Sequence, residues 1–434
     1  MVRSQCAVIS GALVLSLCSG ARAQTSVHAT ADVSAAYSDN AFGVAEDGPE
    51  EPVGTFFFML TPGALLYHDT ARAHYSVAYQ RHYAFFLEAS ENNSASDTAA
   101  AELNYALSPI QTLTLGLYLT HSSFAGLIAD ATLPGANEAR VGYEAERLRT
   151  DLQQTYTQEL SFNWRFLQSS LFGVMVPIEA QDTEPLRYRL GMDLGTEYVY
   201  GQDAYGVLLG ATYFRTAALS DDFTAPDEDV MLLSLRTRWR RNLSLRWSGE
   251  LSAGLGLAIS PDTVSPDGLW GASLFYTEPT VSNEPAFNAT LRYNRTQSTS
   301  LEDFSIFVSD EVGLDATSPL SSANDLDFFC STSLGHNRQI LQTGPDGSVN
   351  VWLSEARVSW APTWLSLSLR YQYLRQFGAT DTSTLPNLDR HLVMLTLAGM
   401  FPERRLEPVA VGDSNRVGQQ RPTTSNTPDA NPNP

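Results

Sequence analysis

Along most of the chain, apolar side chains alternate with small or polar ones in runs of roughly ten residues. Leu113, Leu115, Leu117 and Leu119 alternate with Thr114, Gly116 and Tyr118. Leu186, Tyr188, Leu190, Met192, Leu194 and Tyr198 alternate with Arg187, Arg189, Gly191, Asp193, Gly195 and Glu197. A period of two puts successive side chains on opposite faces of a β-strand. A tilted segment of about ten residues is long enough to cross a bilayer as β-structure. About eighteen such segments follow one another, from Ser26–Tyr37 through Tyr156–Phe166, Ser170–Ala180, Leu243–Leu257 and Trp270–Tyr276 to His391–Phe401. The pattern predicts an all-β fold: a transmembrane, antiparallel, up-and-down β-barrel of about 18 strands (16–18).

The connections support that count. Short ones, such as Ser108–Gln111, Phe166–Ser169, Tyr200–Asp203, Arg241–Asn242 and Ala361–Trp364, alternate with long ones, such as Ser38–Pro52, Ser122–Arg149 and Gln376–Arg390. Alternation of short periplasmic turns with longer extracellular loops is the barrel pattern. Thr277–Pro285 and Thr317–Asp325 are long links on the short-turn side. Trp164, Trp239, Trp247, Trp360 and Trp364 fall near the predicted periplasmic turns, while Trp270 and Trp352 open strands on the extracellular side. Indole rings anchor at headgroup depth because the ring is apolar and its N–H is not. The last segment ends in Phe401 and resembles the closing strand of bacterial outer-membrane proteins.

Targeting agrees with that location. Residues 1–23 read as a signal peptide, with Arg3, an apolar stretch Ala7–Leu17 and a cleavage pattern Ala21-Arg-Ala23. Leu15-Ser-Leu-Cys18 is only a partial likeness of a lipoprotein box, because a leucine precedes the cysteine. Residues 24–401 form the barrel, and residues 402–434, rich in Pro, Asn, Thr and Gln, a disordered periplasmic tail. Removal of the signal leaves Cys330 as the sole cysteine, so no internal disulfide and no cysteine metal site is expected.

Hydrophobic residues make up 43% of the chain, yet mean hydropathy is slightly negative. Alternation produces that combination, whereas helical spans would not. The net charge is −21, and all 27 basic residues are arginine. Acidic loops over an arginine-bearing wall suit a barrel in anionic lipid, and no basic patch for nucleic acid is present.

If the apolar face meets lipid, the other face lines a lumen wide enough for water. That face is expected to carry Arg187, Arg189, Asp193, Glu197, Arg236, Arg238, Arg240, Arg246, Glu250, Arg292, Arg357 and Arg370. These groups act either as salt-bridged struts or as contacts for a polar solute. Tyr118, Phe214 and Phe329 share the parity and could stack on sugar rings. Pro134–Leu148, weakly helical in the longest loop, either folds inward or stands in solvent. His121 beside Ser122 and Ser123 is the best nucleophile–base pair, without an orienting acid, so no enzyme, cofactor or metal is expected.

The opening strand running into Tyr37-Ser-Asp-Asn-Ala-Phe42, with about eighteen strands and no plug, resembles the porin-like barrels of exopolysaccharide export found in proteobacterial and myxobacterial gene clusters. The resemblance implies an outer-membrane conduit for a polysaccharide, working with a periplasmic polysaccharide-export protein. Docking would fall to the turns or to the tail arginines Arg404, Arg405, Arg416 and Arg421. The alternatives are a general or solute-specific diffusion porin, and a structural or adhesive barrel with acidic surface loops.

Overall fold

The computed structural model describes residues 24–41, 52–122, 147–178, 186–217, 229–278, 287–299, 306–320, 326–340, 348–362, 364–378 and 387–401. The predicted signal peptide, the C-terminal tail and most of Pro134–Leu148 lie outside them. Eighteen strands follow in chain order. They are β1 (Gln24–Ser38), β2 (Thr55–Asp69), β3 (Ala73–Phe86), β4 (Ser94–Ser108), β5 (Gln111–Ser122), β6 (Arg147–Glu159), β7 (Trp164–Pro177), β8 (Leu186–Tyr200) and β9 (Asp203–Ala217). The second half has β10 (Asp229–Asn242), β11 (Trp247–Ile259), β12 (Val264–Thr277), β13 (Asn288–Thr299), β14 (Ile306–Pro319), β15 (Leu326–Gln339), β16 (Ser348–Trp360), β17 (Leu365–Gly378) and β18 (Leu388–Phe401). Each pairs antiparallel with its chain neighbours, and β1 pairs with β18, so the sheet closes on itself. Apart from the loop ends of β12 and β13, closure leaves no sheet edge and satisfies the ladder in a medium that offers no water.

The alternation resolves into two faces. Outward positions carry Leu251, Leu255, Leu209, Leu369 and Val393, all exposed. Inward positions carry the polar and small residues, together with buried apolar groups such as Phe57, Met175, Phe214, Val230 and Leu232. So extensive an exposed apolar surface is unlike that of a soluble protein and matches a bilayer-embedded barrel.

The Tyr37–Asn40 stretch closes the seam. Asp39 Oδ1 accepts the His391 N–H at 2.7 Å, and the Asn40 amide donates to the Asp389 carbonyl at 3.2 Å. Tyr37 packs on Phe56, ring centroids 4.8 Å apart. The seam therefore ends in a side-chain clasp between the first and last strands.

Two turns depart from the sequence expectation. The β6–β7 turn is at 160–163, so Phe166–Ser169 is within a strand, and the β10–β11 turn is at 243–246, beyond Arg241–Asn242. Both share the pattern Leu-Ser-x-x-Trp. The serine hydroxyl accepts the tryptophan N–H (Ser161–Trp164, 3.2 Å; Ser244–Trp247, 3.1 Å), and the leucine N–H donates to the tryptophan carbonyl (2.8 and 2.9 Å). Local side-chain capping thus outweighs the apolar content that makes Leu160 and Leu243 look like strand residues. At Tyr200–Asp203 a two-residue turn needs positive φ, which Gly201 supplies at 61°. Trp270 and Trp352 lie several residues inside their strands rather than at the starts, because β12 and β16 begin at Val264 and Ser348.

Candidate functional site

The inner wall of β6–β10 concentrates arginine. Register and alternation place Arg147, Arg149, Arg165, Arg187, Arg189, Arg236, Arg238 and Arg240 inward. The acids sharing that surface are Asp151, Glu159, Asp193 and Glu197, so eight cations face four anions. Two carboxylates are each shared by several guanidinium groups. Asp151 accepts from Arg149 at 2.6 Å and from Arg189 at 3.4 Å. Glu197 accepts from Arg238 at 2.9 Å, with Arg165 at 3.8 Å and Arg240 at 3.9 Å. Asp193 accepts the Ser169 hydroxyl at 3.2 Å. It lies flat against Gly210, where a Cβ would meet its carboxylate oxygen at 2.5 Å. Arg147, Arg149, Arg187 and Arg189 lie toward the end bearing the long connections, here termed the loop end, and Arg240 toward the turn end. Arginine therefore runs from rim to rim.

Elsewhere the charges are closer to balance. Arg292 pairs with Glu311 at 3.1 Å and with Asp315, and Arg370 pairs with Glu355 at 2.5 Å. Arg357 stands directly across from Arg370 and lies over the Phe329 ring at 5.2 Å. Glu250 opposes Arg240 across β10–β11. Tyr118 donates to Glu102 at 2.8 Å. Its ring lies over Gly116, where a Cβ would be 2.9 Å from it. Phe214 is buried against Met175, so it has no face free for a sugar. Arg246 requires correction: it belongs to the β10–β11 turn, is exposed, and its N–H donates to the Ser244 hydroxyl. β10 ends at Asn242 and β11 begins at Trp247, so strand parity does not extend to it.

The loop-end portions of β13–β15 do not follow the wall. β12–β13 pairing stops at Trp270–Arg295, although β12 continues to Val264. Above that point Ile306 and Val308 pack with Ile340 on the inward residues Val230, Leu232 and Ala258 of β10–β11. Phe307, 1% exposed, packs the opposite way on Val349, Val351, Leu374 and Leu388 of β16–β18. One strand end is thus held between two inner walls, narrowing the loop-end mouth. Asp267 of β12 holds this infolded flap from below. It accepts from Arg295 of β13 at 2.9 Å and from Arg338 of β15 at 3.1 Å. Arg295 also pairs with Asp310 at 2.8 Å and covers Trp270 at 4.8 Å.

Arg147, Arg149, Asp151, Arg165, Asp267, Arg295 and Arg338 are absent from the sequence-based set. The first three were legible in Arg147-Leu-Arg-Thr-Asp-Leu152, whose alternation continues into β6. Those around Asp267 were not, because the infolding reverses which face meets the interior. His121 faces outward with its Nδ1 3.7 Å from Asp97, while Ser122 pairs with inward Arg147. The two side chains leave on opposite faces.

No family model and no curated protein matches the sequence. Among solved structures the fold is similar to the outer membrane protein OpdK from Pseudomonas aeruginosa, at 9% identity over 86% of this chain and 98% of that one, with a TM-score of 0.40. It is also similar to Pseudomonas aeruginosa OccK2 (OpdF) in complex with glucuronate, at 10% identity over 87% and 98%, TM-score 0.42. A bacterial polysaccharide outer membrane secretin aligns at 12% identity over 86% and 98%, TM-score 0.37. These likenesses concern the fold alone.

Proposed function

We propose that this chain is an outer-membrane pore for anionic solutes, its turn end periplasmic and its loop end extracellular. The observation that carries the reading is the rim-to-rim excess of arginine on β6–β10, where Asp151 and Glu197 are each shared by more than one guanidinium. A guanidinium stays charged at any working pH and offers planar donors matched to carboxylate and phosphate. A one-signed wall in a confined pore raises the local concentration of counter-charged solute. Nothing in this reading requires a cofactor.

A second reading, export of an acidic polysaccharide with a periplasmic partner, is favoured by the axial repetition of Arg236, Arg238 and Arg240 on one strand. A linear polyanion needs equivalent contacts along its path rather than one site. The Tyr37–Asn40 clasp, part of the stretch that carries the family resemblance, serves the seam and does not discriminate between the two readings.

The test is reversal potential in planar bilayers under a KCl gradient, using the purified full chain. An anion-selective potential supports the pore reading, and a cation-selective one overturns it. Deleting the gene and assaying surface polysaccharide by dye binding separates the two readings. Loss of polymer with an intact outer membrane selects export, and unchanged polymer selects solute diffusion.

A further inference from the structure

Two hairpins of this barrel are built on the same Leu-Ser-x-x-Trp turn, which gives a shared ruler for depth. Trp164 stacks beside Tyr198 at 5.0 Å and Trp247 beside Tyr276 at 4.8 Å, so both turns set an aromatic pair at the same level of the outer surface. Counting up from the turns, the outward positions of β10–β11 are Trp239, Thr237 and Leu235 on one strand and Leu251, Ala253 and Leu255 on the other. Thr237 satisfies its hydroxyl on the Ala253 carbonyl at 3.0 Å. That hairpin presents a surface fit for hydrocarbon.

At the matching positions β6–β7 presents Tyr156, Gln154 and Leu152, opposite Gln168, Ser170 and Phe172. These face outward: Leu152 and Phe172 of the same parity are exposed, while Asp151 and Ser169 of the other parity bond inward. Gln168 is four residues above Trp164, and Gln154 pairs with Ser170 six residues above it. At about 3.3 Å per residue, reduced by strand tilt, both amides lie roughly 10–15 Å above the aromatic level, near the middle of the apolar band about 25 Å tall. Gln168 has one long bond, to Ser170 at 3.5 Å, and Gln154 has none among the described residues. On the opposite side of the barrel the outward hydroxyls of Thr332 and Ser354 bond to each other at 2.8 Å.

A primary amide facing hydrocarbon without a partner is costly. Lipid ester and headgroup oxygens lie at the interface, out of its reach. Only protein can bring a polar group to that depth. An amide is donor and acceptor at once, so a copy of the same patch completes it. We propose that the outer face of β6–β7 is the contact by which two copies of this chain meet in the membrane, Gln154 and Gln168 of one bonding Gln154 and Gln168 of the other. The inference rests on the bilayer placement given above.

The test uses the full chain in native outer membranes with Cys330→Ser as background. Tyr156→p-benzoylphenylalanine, whose benzophenone photo-inserts into C–H bonds and leaves both amides in place, should give a band of twice the chain mass on irradiation. Trp239→p-benzoylphenylalanine, at matched depth on β10–β11, should give none. The double variant Gln154→Leu, Gln168→Leu should fall to monomer by native mass spectrometry of detergent-extracted protein. Absence of the Tyr156 band overturns the proposal. So does a product whose mass shows a different partner, or a leucine variant that stays oligomeric. Failure of the bilayer placement shows separately: Leu251→Cys would then react with a membrane-impermeant maleimide in the intact barrel.

Discussion

The two sides of the lumen solve the same wall problem in opposite ways. On β6–β10 the strands stay in register from rim to rim, and long cationic side chains fill the space beside them. On β12–β16 the loop ends of three strands leave the register and the interior is filled by backbone and by Phe307, Ile306 and Val308. The first side is charged, with Arg147, Asp151, Arg187 and Glu197 buried among one another and their neighbours. The second is packed like a protein core, where space cannot be given up without cost. The difference teaches that width and selectivity are set by different residues, and substitutions should separate them.

The largest effect belongs to the packed side. Phe307→Ala removes a fully buried ring from between two walls and should cost about 3–5 kcal/mol, read as a lower urea midpoint of lipid-reconstituted protein. Its single-channel conductance should rise as the mouth loosens. Unchanged conductance would mean that the infolded flap does not limit flow.

Next comes the latch. Asp267→Asn leaves Arg295 with Asp310 and deprives Arg338 of its partner. Breaking a shielded pair is costly, but Arg338 is half exposed, so about 1–2 kcal/mol is expected. More frequent or larger openings in single-channel traces should accompany it, with ion selectivity unchanged. A shift in selectivity would show that width and charge are not separable here.

On the charged side, Arg238→Gln with Arg240→Gln strips Glu197 of two of its three partners. The anion-to-cation permeability ratio should drop about tenfold, equivalent to 1.4 kcal/mol, with conductance nearly preserved. A ratio that does not move would assign these arginines to wall support alone.

The smallest effect is Tyr118→Phe, which loses one exposed hydrogen bond to Glu102, worth about 1 kcal/mol at most. Tyr118 stands on β5 directly across from Asp151 of the arginine wall, but the change removes no charge, so reversal potential should stay at the wild-type value. A change would extend the solute path beyond β6–β10.

Strand number, handedness of faces and the seam between Phe401 and the opening strand were readable from alternation, since period two is a local property. Arg187, Arg189, Arg236, Arg238 and Arg240 were readable for the same reason. Arg246 was misplaced because turn capping by Ser244 ends β10–β11 pairing sooner than hydropathy suggests. The flap was not readable, although Ile306-Phe-Val308 hints at it. Three consecutive apolar residues break alternation, and all three are buried because each side of that strand meets a wall. Which wall it meets depends on contacts far along the chain, and no window of sequence contains them.

The clasp of Asp39 on His391 joins residues 352 positions apart. The contact can form only once the last strand exists, so it gives nothing to the pairing of the hairpins before it. Assembly therefore has a late step whose success depends on a handful of groups at one corner. Damage there would show as barrels that insert sluggishly and are degraded while open-edged, whereas those that do close would behave normally.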